Sequence, residues 1–121
     1  MSCLFNSLGH LLGELTDAVR QRICDNLAAN IAIIEGMDTA ELLRMEHPNY
    51  IEHMRSPATW GGAIEIQAAC SIWNVKIEVE NRRSAAPAPD IEFVPVGSTT
   101  PPTRTLRIYW TGGHYEPVSI A

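Results

Sequence analysis

Up to about Asn74 the apolar residues recur at helical spacing, and after it they alternate with polar ones, so the chain predicts helices first and strands second. Leu4, Leu8, Leu11 and Leu12 form one stripe over about Cys3 to Leu12, with Ser2 available as its N-cap and Gly13 as its end. Val19, Ile23, Leu27 and Ile31 fall at four-residue steps and predict a second helix from about Asp17 to Asn30. A third, short helix starts at Asp38, where Glu41 three residues on makes a capping-box-like pair, and Pro48 closes it. One further turn is expected from Tyr50 to Met54, before Ser56 and Pro57 break it. Gly61 to Trp73 reads as a largely buried helix with Glu65, Gln67 and Ser71 as its polar edge, and Asn74 suits its C-terminal cap.

Strict alternation over Val75 to Glu80 predicts a half-buried strand. Ile91 to Val96 is a second, with Pro95 marking an edge or an end, and Leu106 to Trp110 a third. After the break at Gly112-Gly113, alternation resumes from His114 to Val118 as a last short strand. Loops join these strands, one holding an Ala-Pro-Ala-Pro stretch and beginning with Arg82-Arg83, read as a solvated hairpin tip. The expected fold class is α+β: N-terminal helices packed on a small antiparallel-type sheet, in a single domain spanning residues 1–121.

Composition narrows the function classes. A chain of 121 residues buries about two-thirds of its unfolded surface, so one core holds it without a disulfide framework or structural metal. The net charge of −5 lacks the footprint of a general nucleic-acid binder and suits a partner with a basic tail. Cys3, Cys24 and Cys70 show no Cys-x-x-Cys spacing, which points to a reducing compartment. His10, His47 and His53 match no ligand spacing, so no metal and no cofactor are assigned. The apolar runs fall short of the roughly 20 residues of a membrane helix, and the N-terminus carries no secretion signal. A monomer in the cytoplasm, the cell's own or a host's, with no membrane partner, is expected.

The candidate chemistry sits at the two ends. Cys3 stands where a helix begins, and the partial positive charge of a helix N-terminus favours thiolate. His114 follows two glycines that let a substrate backbone come close, and Glu116, two residues on along a strand, shares its side and could orient the ring. Cysteine, histidine and carboxylate make a thiol-protease set. Spacing alone leaves open that Cys3 is a half-buried end residue and His114 a loop histidine. Cys24 and Cys70 read as packing residues, Trp60 as either substrate-facing or a core anchor, and Tyr115 as packed under the sheet.

Cys3-Leu4-Phe5-Asn6-Ser7-Leu8 resembles the nucleophile helix of the ovarian-tumour (OTU) cysteine peptidases, which usually reads Asp-Gly-x-Cys-Leu-Phe. Tyr50-Ile51-x-x-Met54, followed by Thr59-Trp60-Gly61-Gly62-x-x-Glu65, resembles the family's middle motif. His114-Tyr115-Glu116-Pro117-Val118 is similar to its terminal one, although Glu116 stands where aspartate or asparagine is more usual, and the family's Asp-Gly is absent because only Met1 and Ser2 stand before Cys3.

The resemblance implies a fold of the papain-like class and a deubiquitinase that hydrolyses the bond after the C-terminal Gly-Gly of ubiquitin or a ubiquitin-like modifier. Its partners would then be the modifier's tail and ubiquitinated proteins. By the same resemblance Cys3 is the nucleophile, His114 the general base and then acid, and Glu116 the orienting residue. Trp110, Gly112 and Gly113 are channel walls, with Trp60, Gly61, Gly62 and Tyr115 beside them. Compact members of the family occur in viral polyproteins and bacterial effectors. Two alternatives share the fold: a ubiquitin-binding module that has lost turnover, and a viral polyprotein-processing cysteine protease.

Overall fold

The computed structural model describes residues 2–82 and 89–118; Arg83 and most of the Ala-Pro-Ala-Pro stretch lie outside the described residues. The elements follow the expected order: α1 (Cys3–Leu12), α2 (Thr16–Ala28), α3 (Thr39–Glu46), α4 (Tyr50–Met54), α5 (Ala63–Trp73), β1 (Lys76–Asn81), β2 (Ile91–Phe93), β3 (Thr105–Trp110) and β4 (Tyr115–Pro117). Several end signals work as read. Gly13 ends α1 in the left-handed region, and the Asp38 carboxylate accepts the Glu41 N–H at 3.3 Å to open α3. Strand β2 is shorter than expected, because the Val94 carbonyl accepts from the Gln67 side chain at 2.6 Å and Pro95 has no N–H for a ladder.

The sheet order is β2-β1-β3-β4. The expected antiparallel pairing holds at both edges, β1 with β2 and β3 with β4, whereas the central pair β1–β3 runs parallel, Lys76 opposite Thr105 through Asn81 opposite Trp110. The reason is the crossing after β2, which returns the chain to the end where β1 started. Asn74 anchors that crossing. It caps α5 at φ 49°, its carbonyl accepts the Thr103 N–H at 2.8 Å, and its amide donates to the Pro101 carbonyl at 3.0 Å.

Helices α1 and α5 pack on one face of the sheet, α2 packs on both of them, and α3 and α4 pack on α2 and on each other. Ile77, Val79, Leu106 and Ile108 meet Leu4, Phe5 and Leu8 of α1, Ile23 and Leu27 of α2, and Ile66, Ala69 and Cys70 of α5 in one contiguous core. The other face carries ion pairs, Lys76 with Glu92 at 2.9 Å and Arg107 with Glu78 at 3.2 Å. Exposed pairs contribute about 0–1 kcal/mol each, whereas a fully buried leucine or phenylalanine contributes roughly 1.5–3 kcal/mol. The apolar face therefore holds the layers together. Arg82 is exposed, as the solvated-tip reading expects, with its guanidinium 4.0 Å over the Tyr109 ring and paired with Glu80 at 3.1 Å.

Glu65 is a second correction. Expected on the polar edge of α5, it is only 1% exposed. Its Oε1 accepts the Gly62 N–H at 2.8 Å and its Oε2 accepts the Tyr50 hydroxyl at 2.6 Å, so it closes the start of α5 with Gly62 as N-cap. Burial raises the Glu65 carboxyl above its ordinary range, while the bonds from Tyr50 and Gly62 and the charge of Arg20 pull it back.

The native carboxyl therefore holds its proton more tightly than the unfolded one. Its contribution to stability falls as pH rises from the usual range near about 4.3 through the raised native value, and then levels. Urea midpoints of wild type and Glu65→Gln between about pH 4 and pH 8 isolate this term. Wild type is expected to lose stability relative to the variant as pH rises; a relative gain contradicts the assignment.

Candidate active site

Cys3 is the first residue of α1 and is half-buried. Ser2 precedes it as N-cap residue, yet its hydroxyl makes no cap bond, contrary to expectation. That hydroxyl instead accepts from Arg20 Nη2 at 3.1 Å and donates to the Pro57 carbonyl at 3.4 Å. The helix opens through its backbone alone, with the Asn6 N–H bonded to the Ser2 carbonyl at 2.7 Å. No cap side chain occupies the N–H groups of the first turn, which leaves the positive end of the helix beside the thiol.

His114 arrives from the other end of the chain. A two-residue turn, Gly112-Gly113, joins β3 to β4, closed by the Thr111 N–H to the His114 carbonyl at 3.1 Å. Gly112 has φ 103°, which needs glycine at the first central position of such a turn. A Cβ on Gly113 would meet nothing within 4 Å beyond its own chain neighbours, so the turn is open at Gly113.

The Trp60-Gly61 segment borders both ends. Trp60 is 49% exposed and sets its ring edge-on to His114, centroids 6.0 Å apart, so it is no core anchor. A Cβ on Gly61 would stand 2.8 Å from Leu4 Cδ2 and 2.9 Å from the Phe5 ring, so only glycine lets this segment lie against the first turn of α1. The Ser7 hydroxyl lies within bonding reach of the Cys3 carbonyl (2.7 Å) and the Tyr115 carbonyl (3.1 Å), tying α1 to β4. Burial raises the Tyr115 phenol above its ordinary range.

Cys3, His114 and Glu116 thus belong to adjoining elements, but among the described residues no hydrogen bond or ion pair joins their side chains. Glu116 is exposed opposite Tyr109, with half-buried Tyr115 and Pro117 on either side. Trp110 and Tyr115, rings 6.4 Å apart, line an apolar cavity of about 160 Å³ with Ala63, Ile66 and Phe93, between the sheet and α5. Gly61 and Gly62, with Trp60, border a separate open groove of about 470 Å³ that also touches Tyr50 and His53. Cys24 and Cys70 are buried, and desolvation pushes their thiols up to about 11 and about 12. The His47 and His53 rings lie 4.1 Å apart, and no group of three potential metal ligands forms among the described residues.

Ser7 and Arg20 are the site-supporting residues that sequence reasoning missed. Ser7 stands four residues after Cys3, on the same helical face. Arg20 stands on the apolar stripe of α2 between Val19 and Ile23, where an unpaired charge is rarely tolerated.

The OTU-like cysteine protease family matches over residues 2–115. No curated protein matches the sequence. Among solved structures, the OTUD1 OTU domain superposes with a TM-score of 0.69 at 21% identity, over 96% of this chain and 77% of that one. The viral OTU domain protease from Dera Ghazi Khan virus gives 0.67 at 21% identity, over 96% and 72%. An OTU domain in complex with ubiquitin gives 0.70 at 19% identity, over 96% of this chain and 62% of that one. With a family match that runs nearly end to end and this fold beneath it, the chain belongs to the OTU-like cysteine proteases.

Proposed function

We propose that the chain is a thiol-dependent deubiquitinase, cleaving the isopeptide or peptide bond after the terminal Gly-Gly of ubiquitin or a ubiquitin-like modifier. The observation that carries this is the meeting of the α1 start and the β3–β4 turn at the Trp60-Gly61 segment, in a chain of this protease family. A matched solved structure is an OTU domain in complex with ubiquitin, which supports the choice of modifier. A net charge of −5 complements the modifier's basic tail.

In this reading the Cys3 thiolate attacks the carbonyl carbon of the last glycine, and backbone N–H groups at the start of α1 hold the developing oxyanion. His114 takes the thiol proton and gives it to the departing amine, leaving a thioester. It then takes a proton from water, whose oxygen displaces Cys3. Glu116 orients the imidazole once substrate has drawn the groups together, and Gly112, Gly113 and Trp60 border the tail. A second reading, a modifier-binding module without turnover, draws on the missing direct bond among the three side chains; it predicts binding without cleavage.

Ubiquitin with an electrophilic C-terminus is expected to form one adduct, at Cys3, that vanishes in Cys3→Ala. An adduct at Cys24 or Cys70 contradicts the assignment, since both are buried with raised thiols. Steady-state hydrolysis of a fluorogenic ubiquitin amide is expected to slow by about 10²–10⁴ in His114→Ala; a loss under about threefold removes His114 from the chemistry. Trp60→Ala tests the wall. Because Trp60 is half-exposed, its loss is expected to cost about 1 kcal/mol or less in stability while lowering kcat/KM about tenfold, and unchanged kcat/KM sinks that role.

A further inference from the structure

Beneath the site lies a charged group that the reaction above does not use. Arg20, on α2, is 1% exposed, and both terminal nitrogens of its guanidinium donate hydrogen bonds. Nη1 donates to the Met54 carbonyl at 2.7 Å, and Nη2 donates to the Thr59 carbonyl at 2.9 Å and to the Ser2 hydroxyl at 3.1 Å. The plane lies 4.2 Å from the centroid of the Phe5 ring. Burying a cation is costly, and an apolar side chain at this stripe position would pack at lower cost. Its contacts show what the charge does.

Ser2 immediately precedes Cys3, and Phe5 follows it within the same turn of α1; Thr59 immediately precedes Trp60. Arg20 therefore holds both sides of the site from below. The segment between Met54 and Thr59 is irregular apart from its bends, and Pro57 within it accepts from Ser2. No ladder or helix fixes the spacing between this segment and the start of α1. A planar fork with donors at set angles does so where a flexible ammonium would not.

We propose that Arg20 is a positioning residue for the reaction, its guanidinium setting the gap between the Cys3 turn and the Trp60 loop into which the scissile bond fits. The inference rests on the reading of Cys3 as nucleophile and deepens it. A shift of about 1 Å in such a gap lowers turnover up to about a hundredfold, because it spoils the attack geometry more than the binding of a tail held elsewhere. Ser2 acts through the same link, as the acceptor nearest the nucleophile.

The test measures kcat and KM of the whole chain on ubiquitin carrying a C-terminal fluorogenic amide. Arg20→Lys keeps the charge and loses the fork, and its kcat is expected to fall about tenfold with KM changed by less than about twofold. Ser2→Ala removes the acceptor of Arg20 Nη2 and the 3.4 Å bond to the Pro57 carbonyl but no cap bond, and its kcat is expected to fall about threefold. The double variant is expected to lose less than the product of the two single losses, since both changes break the Arg20–Ser2 bond. Cys24 and Cys70 should stay unreactive to iodoacetamide throughout, which reports an intact core. If Arg20→Lys fails to fold, Ser2→Ala decides. Unchanged kcat in the folded variants, or losses that multiply in the double variant, overturn the proposal while leaving the nucleophile assignment standing. A wild-type chain without turnover, or with turnover that survives Cys3→Ala, overturns that assignment and the proposal with it.

Discussion

The first turn of α1 must lie against the edge of β4, and the rest of the site depends on that contact. Ser7 marks it, one hydroxyl shared between the carbonyls of Cys3 and Tyr115 across almost the whole length of the chain. A single hydrogen bond contributes about 1 kcal/mol net, too little to close so large a loop unaided. Leu4, Phe5 and Leu8, all fully buried against the sheet, supply the attraction. The hydroxyl fixes which carbonyls face each other, so hydrophobic burial brings the ends together and polar geometry sets their register.

The loop that carries Trp60 is held in the same way from two directions. Glu65 grips the Gly62 N–H from above, and Arg20 grips the Thr59 carbonyl from within α2. Both side chains are buried, and each offsets its desolvation with fixed partners, among them the Tyr50 hydroxyl for Glu65 and, for Arg20, the Met54 and Thr59 carbonyls with the Phe5 ring beneath the guanidinium. Three consecutive residues, Trp60, Gly61 and Gly62, thereby border the first turn of α1, the imidazole of His114 and an open groove. That juxtaposition is what the proposed peptidase chemistry uses.

Much of this is legible in the sequence because local signals decide it. The periodicity of α1, the Asp38 cap, the single turn at Tyr50 and the Asn74 end of α5 are each set by residues within a few positions. What escapes is decided at a distance. The parallel pairing of β1 with β3 follows from a crossing that alternation does not encode. Glu65 reads as a solvated edge until Tyr50, fifteen residues away, supplies its partner. Ser2 reads as a cap until Arg20 takes its hydroxyl. The motifs around Cys3 and His114 make the proposed pairing legible in the sequence, whereas the Trp60 edge that faces His114 rather than the core needs the fold.

The central claim is that the thiol and the imidazole occupy one site. Histidine-ring NMR before and after alkylation of Cys3 tests it most directly. The account predicts that the His114 ring signals shift on modification while those of His47, just past the end of α3, and His53 of α4, whose rings lie against each other, stay in place. Unmoved His114 signals after complete alkylation of Cys3 would contradict it.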